Sequence, residues 1–139
     1  KIFLIKSLEI INLIEKKIKK KHFCNAGITN FAVSAEGNLF PCFMFIDDNE
    51  TFCMGNVNDA FDSERFEGIR NILKKNTYDS VKHCDNCFAK GICTNCIGNS
   101  FMKTGRLDSP DESTCLSQRQ MIKRIGYYIA RLGKLKKDI

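Results

Sequence analysis

The sequence has little chain-breaking or low-complexity material: two prolines in 139 residues and no long polar tract. Extended disorder is thereby excluded, and 43% hydrophobic with 27% charged residues is an ordinary globular composition. An uninterrupted apolar run is also missing. The opening KIFLIKSLEIINLIEKKIKKK is broken by Lys6 and Glu9 and no small-residue cleavage site follows it. It falls well short of the roughly 20 apolar residues of a membrane span. A soluble chain without a membrane partner is expected. The net charge of +6 gathers at KKIKKK (16–21) and RLGKLKKD (131–138), with no aromatic platform beside it. These lysines read as solvated helix ends, and a nucleic-acid partner is not favoured. The length is that of one domain with a modest core.

Cysteine, by contrast, is abundant: eight residues, four of them inside HCDNCFAKGICTNC (83–96). Eight thiols could make four disulfides in a secreted domain. No secretory segment accompanies them, and the Phe and Ile content supplies a core without staples, so a metal or cluster is expected instead. Cys84–Cys87 and Cys93–Cys96 are both C-x2-C pairs, in which the backbone curls round a metal from a tight turn. Taken alone they form one four-cysteine site that a structural zinc would satisfy. Zinc pairs are usually separated by roughly 12–20 residues, whereas five separate Cys87 from Cys93. Iron–sulfur clusters also take four cysteines, over wider separations. The bacterial ferredoxin run has shorter gaps and ends in Cys-Pro, which is absent here. With Cys24, Cys42, Cys53 and Cys115, the thiols suffice for two four-ligand centres.

Periodicity predicts an amphipathic first helix with Leu4, Leu8, Ile11, Ile14 and Ile18 on its apolar side. FAVSAEGNLFPCFMF (31–45) predicts a β-hairpin turning at Gly37-Asn38, with Val33 opposite Cys42 and Pro41 on an edge. Cys24 stands nine residues before Val33, about 30 Å if extended at ~3.3 Å per residue. For Cys24 and Cys42 to share a site CNAGITN must fold back, as Gly27 permits. SERFEGIRNILKKN (63–76) predicts a helix with Ser63 as N-cap and Phe66, Ile69 and Leu73 on one side. The Cys-rich stretch then runs as loop through Gly91 and Gly98. Residues 113–135 close the chain as a helix with Met121, Ile125, Tyr128, Leu132 and Leu135 at helical spacing. The expected fold is a small metal-stabilised α+β domain with one β-hairpin, several helices and long Cys-rich loops. Without its metals much of the stretch from Cys84 to Cys115 is expected to be poorly ordered, because little apolar material anchors it.

Several motifs agree in order with a known pattern. CNAG (24–27), AEGNLFPC (35–42), MGNV (54–57) and the Cys-rich run ending at Cys115 resemble the SPASM domain, the C-terminal extension of radical S-adenosylmethionine (SAM) enzymes that modify peptides and proteins. The resemblance covers roughly residues 22–118. It implies two auxiliary [4Fe–4S] clusters with interleaved ligands. Cys84, Cys87, Cys93 and Cys115 would hold the second, and Cys24, Cys42 and Cys96 the first. Two departures stand out. One residue fewer than usual separates Cys93 from Cys96, and no second cysteine stands within a few residues after Cys24. Either Cys53 supplies the fourth ligand of the first cluster, or one iron is left for a substrate thiolate or other ligand, with Cys53 a partly buried free thiol. His83 reads as a solvated loop histidine or a cluster contact, and His22 carries no assigned role. Asp85 and Asn86 read as shaping the turn, and Lys90 and Lys103 are candidates for offsetting cluster charge.

The C-x3-C-x2-C motif that holds the SAM-cleaving cluster is absent. On this resemblance the chain is a fragment, not catalytic alone, whose partners are the radical SAM barrel of the same parent chain and a peptide or protein substrate. SAM would bind only in that barrel. Residues 1–21 would be the end of the barrel or the bridge from it, 22–118 the cluster domain and 119–139 a C-terminal amphipathic helix. The implied role is electron transfer and substrate binding in peptide modification, thioether formation at cysteine being one such reaction, in an anaerobic cytoplasm. The alternative is a stand-alone four-cysteine zinc-binding interaction or nucleic-acid-binding domain, and zinc could also substitute for iron.

Overall fold

The computed structural model describes residues 2–46 and 51–135, with side chains for residues 5–46 and 51–133. The chain forms α1 (Ile2–Glu15), β1 (Ala32–Val33), β2 (Leu39–Phe40), α2 (Ser63–Lys75), α3 (Ile97–Thr104) and α4 (Glu112–Leu135), with 3-10 turns at Phe43–Phe45 and Lys82–Cys84. The described residues make a small α+β domain of four helices and one two-stranded antiparallel hairpin. None of its helices is long and apolar enough to cross a membrane, among the described residues.

The hairpin pairs Ala32 with Phe40 and Val33 with Leu39, so Val33 does not face Cys42 as expected. The loop holds three residues, Ala35–Gly37, closed by Ser34 N–H donating to Asn38 O (2.8 Å) and Gly37 N–H to Ser34 O (3.0 Å). Gly37 has φ +87° and takes the left-handed position that ends a three-residue loop. Beyond β2 the chain carries Pro41 and Cys42 out of the ladder. On the other edge of β2, Leu39 N–H donates to Gly55 O and Met54 N–H to Leu39 O, both at 2.8 Å.

CNAGITN does fold back. Gly27 sits at φ +67° and its N–H donates to both Asn30 O (2.9 Å) and Pro41 O (3.0 Å). This stitches the Cys24 segment to the strand end that carries Cys42. α2 is capped by Asp62, not Ser63: the Asp62 carboxylate accepts from Arg65 N–H at 2.9 Å. Its Ile69 and Leu73 are buried, with Phe66 packed beside them.

The stretch through Gly98 is not loop but the helix α3. Its Gly, Asn and Ser content is weakly helix-forming, and the helix exists because both ends are held. The Cys96 thiol accepts from Asn99 N–H (3.4 Å) at one end and Gly105 caps the other, while Met44 and Phe45 pack on its backbone at Gly98. Within Cys84–Cys115 the side chains of Ala89, Ile97 and Ser100 are buried, and Val81 is buried just before it.

Two apolar clusters result. The larger gathers Phe40, Phe45, Phe52, Met54, Leu73, Tyr78, Val81 and Ile97; the smaller joins Ile10 of α1 to Ala89 and Ile122 of α4. α1 therefore buries Ile10 and Leu13, while Leu8 and Ile18 of the expected apolar face are exposed. On α4 the buried face centres on Ile122, flanked by Met121 and Ile125, and Tyr128 and Leu132 are exposed. The faces shifted because α1 and α4 pack on each other and on the Cys87–Cys93 loop rather than on a broad sheet. The side chains of Leu4 and Leu135, and residues 136–138 of the basic tail, lie outside the described residues.

Candidate metal centres

Seven of the eight thiols stand around two hollows. The first, of about 360 Å3, is lined by Cys24, Cys42 and Cys96 together with His22, Lys20 and Phe43. The second is lined by Cys84, Cys87, Cys93 and Cys115 together with Tyr78, His83 and Gln118. It is narrow, about 20 Å3, room for about one water. A larger body there requires the four thiols to part. Among the described residues no three His, Cys, Asp or Glu side chains converge closely enough to hold a single metal ion.

Local backbone places each thiol. Cys24 precedes the Gly27 fold-back, Cys42 leads the 3-10 turn at Phe43–Phe45, and Cys96 caps α3. Cys84 ends the second 3-10 turn, and Cys87 N–H donates to Cys84 O at 3.2 Å, the tight curl expected of C-x2-C. Cys115 comes from the first turn of α4, which Asp111 caps by accepting from Thr114 N–H (2.9 Å). Cys93 and Cys96 are neighbours in sequence yet face different hollows. The segment between them divides the two spaces, and Phe23 and Asn95 line both.

Nearby backbone N–H groups favour ionisation of several of the thiols: Ala26 and Ile97 for Cys24, Met44 and Phe45 for Cys42, and Asn95 for Cys93. Such donors favour a thiolate and tune a bound cluster. Burial nevertheless dominates and holds the protons on: Cys84 and Cys93 are pushed up to about 11, and Cys24, Cys42 and Cys115 are raised, desolvation being the largest cause in each. Repulsion between the thiols respects the grouping. Cys24 is raised further by Cys96, Cys42 by Cys96 and Cys24, and Cys93 by Cys115, Cys84 and Cys87. Crowded, buried thiols that resist ionising singly are suited to a cationic iron body that discharges them together. The donor set fits iron–sulfur clusters.

Cys53 is in neither group. Phe52 and Met54 turn into the core, so alternation carries Cys53 outward to a surface hollow with Asn56, Asp62 and Arg65, where its thiol donates to Gly55 O at 3.5 Å. His83 is an exposed partner of Glu112 (3.2 Å) at the rim of the second hollow. Asp85 and Lys90 pair with each other (3.4 Å), and Lys90 also pairs with Asp79 (2.9 Å) and lowers the Cys84 thiol. Asn86 is exposed, and Lys103 pairs with Asp111 (2.9 Å), lining neither hollow.

Several residues passed over in the sequence belong to these sites. Lys20 lines the first hollow and bonds Glu9 at 2.8 Å. Gln118 Oε1 accepts from Thr94 N–H (3.4 Å) and Thr94 Oγ1 (3.2 Å) beside Cys93. Tyr78, buried against the ring of Phe23 at 4.2 Å, donates its hydroxyl to Cys93 O. Only Asn95, inside the second C-x2-C, carried a positional signal.

The family model described as SPASM, iron-sulfur cluster-binding domain, matches residues 24–97. No curated protein matches the chain.

Proposed function

The chain belongs to the SPASM family of iron–sulfur cluster-binding domains, and from that premise we propose that it is the auxiliary module of a radical SAM enzyme that modifies a peptide or protein. Its role is then to carry two [4Fe–4S] clusters that move electrons and help seat the substrate, thioether formation at cysteine being a suitable reaction. Cys84, Cys87, Cys93 and Cys115 hold the second cluster. Cys24, Cys42 and Cys96 hold the first, whose fourth iron position no cysteine fills. The observation that carries this reading is the sorting of seven thiols around two hollows with a common wall.

When bound, such clusters supply one-electron chemistry at a potential set by ligands, hydrogen bonds and exposure. The residues do the rest. Phe23 and Asn95 keep the two centres adjacent and exclude water between them, both being buried. Tyr78 and Gln118 hold the Cys93–Asn95 backbone that separates them. The first hollow is the roomier, and Phe43, 72% exposed on its wall, offers an apolar contact for a peptide. The SAM-cleaving barrel of the parent protein and a cytoplasmic setting without oxygen complete the proposal.

The test is iron, sulfide and zinc content after anaerobic purification and reconstitution. About eight iron and eight sulfide per chain are expected for two [4Fe–4S] centres. Zinc without sulfide, even after reconstitution, would overturn the reading.

A further inference from the structure

We propose that His22 supplies the fourth protein ligand of the first centre, an inference that rests on the two-cluster reading above. Four protein ligands are the rule for such clusters, and imidazole replaces thiolate in some of them. The first hollow offers three thiols. Cys53 is turned away to another surface, and the other four thiols surround the second hollow.

Two of the remaining donors of the first hollow are already engaged. Glu9 is bonded to Lys20 at 2.8 Å, and Thr94 Oγ1 to Gln118 at 3.2 Å. Asn95 Oδ1 has no partner, but a neutral amide oxygen is a hard donor better suited to magnesium or calcium, and its Nδ2 is bonded to Ser100 at 3.1 Å. His22 differs. It lines the hollow, and its Nδ1 is shielded from solvent without a hydrogen-bond partner. A buried ring nitrogen left unpaired calls for a partner, and iron is one that imidazole binds readily.

The backbone around His22 is pinned on both sides. Lys20 N–H donates to Gly91 O (2.8 Å), and Tyr78 N–H donates to Lys21 O (3.2 Å). Phe23 is buried against Tyr78, and Cys24 follows at once. His22 is therefore carried to the first hollow by the same short segment that places Cys24. Imidazole would bind as a neutral donor, its second ring nitrogen keeping the proton. With histidine in place of a fourth thiolate the cluster bears less negative charge, and its potential stands above that of an all-cysteine centre.

The chain has two histidines, His22 and His83, which makes the test direct. The 139-residue chain is labelled with nitrogen-15 histidine, reconstituted anaerobically, reduced, and examined by pulsed electron paramagnetic resonance. A strongly coupled histidine nitrogen on one of two cluster signals is expected. It should persist in His83→Gln, where His22 is the only histidine left, and vanish in His22→Gln. In His22→Cys the midpoint potential of that cluster should fall. A protein with about eight iron and no coupled nitrogen, or a coupling lost in His83→Gln, overturns the His22 assignment and leaves the two clusters standing. A protein without sulfide overturns the two-cluster reading itself, and this inference with it. Should His22→Gln fail to fold, His83→Gln alone decides.

Discussion

Replacing Gly27 by alanine strikes the point where the first centre is assembled. At φ +67° an L side chain is strained, by roughly 1–2 kcal/mol in the left-handed region. The added methyl would also stand 2.2 Å from Leu73 Cδ1 and 3.2 Å from Pro41 Cβ. Leu73 is 2% exposed and cannot swing clear into solvent, and overpacking of this kind costs about 1–3 kcal/mol. Together the two effects amount to about 2–5 kcal/mol, and at about 4 °C per kcal/mol for a domain this size the melting temperature falls by roughly 8–20 °C. Gly68→Ala on α2 is the internal control: a methyl there meets nothing within 4 Å, and helix propensity gains about 0.5–1 kcal/mol. The assay is thermal unfolding by circular dichroism on metal-free samples, with iron analysis of separately reconstituted ones. Gly27→Ala should melt low and lose iron from the first centre, and Gly68→Ala should melt slightly high. If both variants melt with the parent, the fold-back at Gly27 does not hold Cys24 beside Cys42 as argued.

On the two-cluster proposal Cys53→Ala should leave iron content unchanged, whereas Cys84→Ser should cut it from about eight to about four; a matching loss in Cys53→Ala would make Cys53 a ligand after all. Tyr78→Phe removes the hydroxyl that satisfies the buried Cys93 carbonyl and should cost about 1–3 kcal/mol in urea unfolding, an unchanged midpoint counting against the role given to that bond. The carboxyl of Asp111 is held well below the usual range by hydrogen bonds from Ser113, Thr114 and Lys103. Its contribution to capping α4 is therefore full above the unfolded value of about 3.9 and is lost as pH falls below it. Asp111→Asn should weaken the protein near neutrality and flatten that acid limb, which unfolding midpoints measured from pH 6 down to pH 2 would read. Because burial raises the thiols of Cys84 and Cys93 to about 11 and ligation releases their protons, reconstitution should be more complete at pH 9 than at pH 7; equal loading at both would contradict it.

Short-range chemistry was legible in the sequence. The curl at Cys84–Cys87, the fold-back at Gly27, α2 and α4 all follow from spacing, one glycine or a 3.6-residue period, and each is present. Where reading along the chain failed, the deciding contact was distant or competed with a neighbour of equal merit. Asp62 outcompeted Ser63 as a cap because its longer carboxylate reaches Arg65 N–H. The hairpin register slipped because Gly37 serves a three-residue loop as well as a two-residue one. α3 was invisible because its own residues are poor helix formers, and the packing of Met44 and Phe45 creates it.

By itself the sequence determined the kind of chemistry: thiols in two C-x2-C pairs with outlying partners, in the order of an iron–sulfur binding family. It also offered Gly27 as the place where the chain can turn, since a residue without Cβ takes that backbone with least strain. The division of seven thiols into two sets was already implied by the family resemblance, but how each is turned to its hollow was decided by tertiary structure. Cys93 and Cys96 are three positions apart and would share one site in isolation, yet the start of α3 at Cys96 and the bonds of Tyr78 and Gln118 turn them to opposite sides of Asn95. The exclusion of Cys53 and the entry of His22 and Lys20 were decided in the same way. A side chain's direction depends on what packs behind it, and for these residues that packing comes from segments far away in the chain.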